Sequence, residues 1–363
     1  MTLDLKRFKD PALVKGLIET IHRLAPADGA NIMEVCGTHT MAIARSGFRS
    51  VMPQGVKLLS GPGCPVCVTA NHEIDTAIAL SRCPNTIITT FGDMIRVPGS
   101  TSSLLKEKAA GADVRVVYSP LDALRVAREN PASTVVFLGV GFETTTPLVA
   151  AAIKRAATEG LDNFCIFCAH KNVPNTLDVL VNDPQVRIDA LILPGHVSTI
   201  IGVEPYRFLA DKYGIPGVIT GFEPVDVLQG IAMILQQLHD GRASIEIAYA
   251  RGVMPQGNPT AVALMNEIFE TCDANWRGLG MIPNSGYKLR PAFARFDAVE
   301  RLQPQVEPTK EPKGCSCGTI LRGAMTPEEC KLFGRACTPE HPVGPCMVSS
   351  EGSCAAYYKY RRV

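Results

Sequence analysis

The chain has 363 residues, 46% of them hydrophobic and 20% charged, which is enough length for two or three domains with proper cores and too apolar for disorder. Lys and Arg number 36 against 35 Asp and Glu, so a net charge of +1 provides no electrostatic footprint for nucleic acid or an anionic membrane. No apolar run approaches the ~20 residues of a membrane span. The start, MTLDLKRFKDP, carries charges where a secretory signal needs its apolar stretch, which predicts a cytoplasmic protein.

From Asn31 to about Val253 the sequence repeats one phrase: a short β-branched run, a Gly- or Thr-rich turn, and an amphipathic helical stretch. This predicts parallel α/β architecture. The strands expected in chain order are Ile32–Val35, Val56–Leu59, Thr86–Thr90, Val114–Tyr118, Thr134–Leu138, Phe164–Cys168, Ala190–Leu193, Val218–Thr220 and Ile245–Tyr249. Nine strands exceed one small sheet, and the stretch Asn130–Ser133 with Pro131 offers a break after the fourth. The reading is therefore two Rossmann-like domains, residues 1–130 and 131–290, with a deep cleft between them. A small Cys-rich domain follows over residues 291–363. The phrases LLSGPGCPVCVT and TIITTFGDMIRVPG resemble LILPGHVSTIIG and GVITGFEPVDVLQG about 130 positions later, which suggests an internal duplication.

The first expected strand ends in Cys36-Gly37-Thr38-His39: a thiolate able to hold a soft metal, a glycine permitting close approach, and an imidazole for proton donation or support. The second leads into Gly61-Pro62-Gly63-Cys64-Pro65-Val66-Cys67, which sets a Cys-x-x-Cys at a helix start, where the dipole lowers thiol pKa. This predicts an exposed redox dithiol with at least one thiol below its usual ~8.5. Gly139-Val140-Gly141, after the fifth strand, resembles a dinucleotide turn but lacks the third glycine, and no Gly-Lys-Ser/Thr occurs in the chain. Cys165, Cys168, Cys83 and Cys272 read as core.

Thirteen cysteines in a reducing compartment point to metal or redox chemistry rather than structural disulfides. Six of them, Cys315, Cys317, Cys330, Cys337, Cys346 and Cys354, fall in the last 49 residues, separated by 1, 12, 6, 8 and 7 residues. No Cys-x-x-Cys of a zinc ribbon is among them, which disfavours zinc. A [4Fe–4S] cluster takes four thiolates at irregular spacing, and its binding would staple a segment too poor in apolar residues to fold alone. Cys315 and Cys317 are too close in sequence to take neighbouring corners comfortably, so one of the two ligates and the other is available for a disulfide beside the cluster.

Cys36-Gly37-Thr38-His39, GPGCPVCVT from Gly61, TFGDMIRVPG from Thr90, GFETTTP from Gly141, LPGHVSTIIG from Leu193 and the tail ending EGSCAAYY together resemble the HypD family of hydrogenase formation proteins. The resemblance spans nearly the whole chain. It implies a scaffold on which, with the chaperone HypC, the Fe(CN)2CO group of the nickel–iron hydrogenase site is assembled. Cyanide would arrive from HypE, and the finished unit would leave with HypC for the hydrogenase large subunit. The resemblance further implies Cys36 as the iron-binding thiolate, with His39, Cys64 and Cys67 acting beside it. Cys315, Cys330, Cys337 and Cys354 would be the cluster ligands and Cys317 with Cys346 the adjacent redox pair, in surroundings similar to ferredoxin–thioredoxin reductase. The competing reading is a free-standing iron–sulfur thiol–disulfide oxidoreductase, which has no use for Cys36 with His39 beside it.

Overall fold

The computed structural model describes residues 8–360. All nine expected strands are present: β1 Ala30–Glu34, β2 Val56–Ser60, β3 Thr86–Thr90, β4 Asp113–Val116, β5 Thr134–Gly139, β6 Phe164–Cys168, β7 Ala190–Pro194, β8 Gly217–Thr220 and β9 Ile245–Ile247. They form two parallel sheets, ordered β2-β1-β7-β8-β9 and β4-β3-β5-β6.

The sheets do not divide at Asn130–Ser133, where the linear reading placed a break. That segment runs on into β5 within the second sheet, with the Thr134 amide bonded to Asn85 O. The chain instead leaves the first sheet after β2 and returns at β7. The reason is burial: Ile32 and Met33 of β1 are fully buried, so this central strand needs a partner on each side, and β2 covers only one. β7, buried at all five positions of its ALILP sequence, takes the other side. The Asn31 amide donates to Asp189 Oδ2 just ahead of β7, and the Asp189 amide returns a bond to Asn31 O. The two copies of the suspected duplication are therefore not equivalent, because β2 and β3 lie in different sheets while β7 and β8 are neighbours.

Helices cover the sheet faces. The helix Pro11–Leu24 is capped by Asp10, whose carboxylate accepts the Ala12 amide at 2.8 Å, and it begins on Pro11, whose fixed φ suits the first helical position. With Pro224–His239 it buries Ile21, Ile231 and Leu235 against Ile32 and Val218. One element escaped the sequence reading: an antiparallel hairpin, β10 Phe269–Trp276 and β11 Gly280–Leu289. Pro283 within β11 and the irregularity between Cys272 and Ala274 break the alternation that would have signalled strands.

After Arg290 the elements are short, and the tail builds no core of its own. Cys317, Ile320, Leu321, Cys330, Cys337, Cys346, Met347 and Cys354 share one apolar cluster with Met33, Val35, Cys64, Cys67 and Trp276. No helix among the described residues is long and apolar enough to cross a membrane.

Candidate functional site

Strands β1 and β2 are parallel neighbours, so their carboxyl ends lie side by side and bring two of the sequence motifs together. Cys36 is the residue capping the helix Gly37–Ser46, and the Gly37 amide donates to Gly63 O at 2.8 Å. A Cβ on Gly63 would stand 2.1 Å from Cys36 N, and one on Gly37 would stand 2.6 Å from Glu351 Cβ. These two glycines thus let the Cys64–Cys67 turn and the tail both close on Cys36. Thr38 Oγ1 donates to Glu351 Oε1 at 2.6 Å, which fastens the tail to the same corner.

Cys36 is surrounded by titratable groups. Burial, then the Glu351 carboxylate, pushes its thiol up to about 12, against hydrogen bonds from the His39 and Thr38 backbone that favour the thiolate. Glu34, which the sequence reading passed over, is fully buried and raised to about 7 by desolvation; it accepts Thr40 Oγ1 at 2.6 Å and the Cys36 amide at 3.2 Å. His39 is buried and lowered to about 4, chiefly by desolvation, so it is neutral at pH 7. Its Nε2–H donates to Gly221 O at 2.9 Å, with Thr220 Oγ1 at 2.8 Å, which fixes the tautomer and leaves buried Nδ1 as an acceptor without a partner among the described residues. The ring stacks on Phe222 at 4.7 Å. An acid inside the strand run ANIMEVC was the available signal for Glu34.

The turn after β5 reaches the same interior. Phe142 stacks on Trp276 at 5.9 Å, and Glu143, quoted in a motif but given no role, is raised to about 7 by burial. One Glu143 oxygen accepts the Val173 amide at 3.0 Å, and the other has no partner among the described residues. The glycines of Gly139-Val140-Gly141 make room for His170 and Thr145 rather than for a nucleotide's phosphates.

Cys64 and Cys67 lie 2.7 Å apart, Sγ to Sγ, on the one-turn helix Pro65–Val68, and the Cys67 amide donates to Cys64 Sγ at 3.3 Å. They are not exposed, as the loop position suggested, but 3% and 0% accessible. Burial pushes the Cys67 thiol well above its usual value, the opposite of the helix-terminus expectation. A four-residue helix carries too little dipole to offset removal from water.

What covers the pair is the tail. The Cys67 thiol interacts with Cys346, Cys346 with Cys317, and Cys317 with Cys315. With Cys64, hydrogen-bonded to Cys67, these sulfurs run from the Cys64–Cys67 turn into the tail as a string of neighbours within one apolar cluster. Beyond it lies a tight space of about 10 Å³ lined by all six tail cysteines with Ile320, Leu332, Phe333, Gly344 and Met347. A Cβ on Gly344 would come 2.7 Å from Cys315 Sγ, so the glycine keeps this space open.

All six tail cysteines face this one space, and the ionised forms of Cys315, Cys330, Cys337 and Cys354 disfavour one another electrostatically, which adds to burial in raising the Cys354 and Cys337 thiols. Cys315 also interacts with Cys317, and Cys346 with Cys354. Among the described residues no three His, Cys, Asp or Glu side chains converge as a single metal ion would need. A cubane asks for something different, four thiolates around a multinuclear core, and a thiol-lined apolar space without carboxylates suits that demand. Cys165 is buried as expected, while Cys168, Cys83 and Cys272 are only partly so.

Two parallel α/β sheets, with a buried string of thiols packed on the first, define a thiol-rich doubly wound protein that carries its cysteine motifs at the carboxyl ends of β1 and β2. The family model described as HypD, hydrogenase formation hypA family, matches residues 12–361. Hydrogenase maturation factor HypD of Rhodobacter capsulatus is 49% identical, with 97% of each chain covered. The factor of the same name from Rhizobium leguminosarum bv. viciae is 47% identical over 99% of this chain and 95% of its own, and that of Cupriavidus necator 44% over 99% and 97%. The chain belongs to the HypD family, and with it to the proteins of hydrogenase maturation.

Proposed function

We propose that the protein is the scaffold on which the Fe(CN)2CO unit of nickel–iron hydrogenase is put together, in complex with HypC and with cyanide delivered by HypE. The observation that carries this reading is the closure of the Cys64–Cys67 turn on Cys36, with a neutral His39 and a buried Glu34 at the same corner. The iron unit is the cargo, and Cys36 is the anionic soft donor offered to it. Before iron arrives, burial keeps this thiol protonated; binding must release that proton, and the backbone N–H groups of Thr38 and His39 then stabilise the thiolate. His39 Nδ1 is the acceptor free to take a proton here, held in position by Gly221 and Phe222.

Cys64 and Cys67 supply two electrons and two protons when they close to a disulfide. Cys346 and Cys317 stand behind them to restore the dithiol by exchange through Cys67. Cys315, Cys330, Cys337 and Cys354 would hold a [4Fe–4S] cluster, which supplies electrons one at a time when bound. The free-standing oxidoreductase is the poorer reading, because a pair accessible to 3% and 0% cannot meet a protein disulfide.

The test is infrared spectroscopy of the complex with HypC. Cys36→Ala is expected to keep the fold and the visible absorbance of the tail while the cyanide and carbonyl bands disappear. Bands at wild-type intensity would move the iron anchor to Cys64 or Cys67.

A further inference from the structure

A cleft of about 550 Å³ opens beside the tail, between the β10–β11 turn, the start of the helix Asn71–Ser81 and residues 309–312. Cys315 and Cys317 line it, whereas Cys346, Cys67 and Cys64 do not reach it. The sulfur string therefore has one end near solvent and the other in the interior: Cys315 is half-buried, and Cys346 and Cys67 are 1% and 0% accessible.

Two guanidinium groups face the same cleft. Arg277 is buried, with Nε on Thr69 O at 3.0 Å and a terminal nitrogen on Asn71 Oδ1 at 3.2 Å; its counter-charge is the exposed Glu311 at 3.3 Å. Arg322 stands 3.6 Å from Asp183, and its buried Nε has no hydrogen-bond partner among the described residues. Every nitrogen of Arg277 is engaged, so Arg322, held only loosely by Asp183, is the guanidinium with donors to offer beside the sulfur; it suits a ligand that carries both a carboxylate and a thiol, since the fork takes a carboxylate through two parallel bonds.

We propose that this cleft is the entry port for a small anionic thiol that reduces a Cys317–Cys346 disulfide, an inference that rests on the thiol relay described above. The incoming thiolate attacks Cys317, which at 5% exposure is closed to a protein but lines the cleft a small thiol can enter, as Cys346 does not. The Cys317–Cys346 bond breaks, and Cys346 leaves as a thiolate and takes up a proton. A second thiol attacks the mixed disulfide, freeing Cys317 and departing as the oxidised reductant, so two external thiols are oxidised and two electrons enter the protein. Cys346, the sulfur set against Cys67, is then ready to act inward.

Full-length protein is oxidised with one equivalent of diamide and reduced with glutathione or with uncharged 2-mercaptoethanol at matched thiolate concentration. Thiols are mapped by alkylation and mass spectrometry. Glutathione is expected to act several times faster at low salt. Arg322→Glu should slow glutathione about tenfold and leave 2-mercaptoethanol within about twofold; Thr319→Trp, which fills the cleft, should slow both. In Cys346→Ser, glutathione disulfide should place its adduct on Cys317. An adduct on Cys64 or Cys67 first, or the absence of any charge preference in the unaltered protein, overturns the port. If diamide closes no Cys317–Cys346 bond, the relay fails instead, and the adduct position with glutathione disulfide still decides the port.

Discussion

The corner at Cys36 and the sulfur string behind Cys64 are neighbours built from opposite materials. Around Cys36 stand two carboxylates, Glu34 and Glu351, and an imidazole, each with a named hydrogen bond to the backbone or to a hydroxyl. In the tail space the lining is sulfur and apolar side chains with Gly344, and charged groups approach the string only at its Cys315 end. The difference matters because protons need acids and bases to carry them, while electrons passed by thiol exchange need sulfur within bonding reach of sulfur and little else. The two regions meet where Gly63 lies against Cys36. That glycine is the border between a corner lined by acids and an imidazole and an interior lined by sulfur.

The largest effect is expected in the tail. Cys330→Ala or Cys337→Ala is expected to take iron from about four per chain to near zero, since four thiolates hold a cubane. The tail should loosen at the same time, read by iron analysis and proteolysis; stoichiometric zinc in a colourless wild-type protein would refute the assignment. Next comes the string's inner end. Cys64→Ser with Cys67→Ser should abolish hydrogenase maturation while leaving the visible absorbance of the tail intact, and full maturation in that variant would reduce the pair to a turn.

At the corner around Cys36 the effects are graded. His39→Ala should lower the rate of ligand attachment by about 10- to 100-fold, the usual cost of removing a supporting residue, with HypC binding nearly unchanged. The infrared band intensity over time against the HypC dissociation constant separates the two. The smallest effect is in stability. Glu34 is raised from 4.5 to about 7 in the folded protein, so the native state binds the proton more tightly than the unfolded chain. Its contribution is complete below pH 4.5 and is lost as pH rises through 7. Glu34→Gln should remove that slope, worth at most about 3 kcal/mol at one pKa unit per 1.36 kcal/mol. Thermal midpoints at pH 5, 6 and 7 that fall equally in both proteins would place the titration elsewhere. His39, lowered to about 4, works in the other direction, with stability lost as pH falls from 6.5 through 4.

Local pattern made much of this legible. Runs such as TIITT and ALILP are buried at every position and read as parallel strands from their composition alone. Cys36-Gly37-Thr38-His39 and Gly61-Pro62-Gly63-Cys64 read as strand-end motifs because their glycines follow short apolar strands, and both do sit at the carboxyl ends of β1 and β2. The hairpin at Phe269–Leu289 was hidden by Pro283 and an irregular register.

Three matters were decided only in three dimensions. β7 lies beside β1 although some 150 residues separate them, because a doubly buried strand takes whatever apolar strand completes its hydrogen bonds, and sequence distance carries no record of that choice. Cys67 has a raised rather than lowered pKa because the tail folds over it; the sign of a thiol's shift follows its distance from water, which no motif encodes. The six tail cysteines, spread over 40 residues, are gathered around one space by the turns between them, with Cys346 beside Cys67. Spacing alone restricts which sulfurs can be neighbours, and packing against Met33, Val35 and Trp276 selects the neighbours they have.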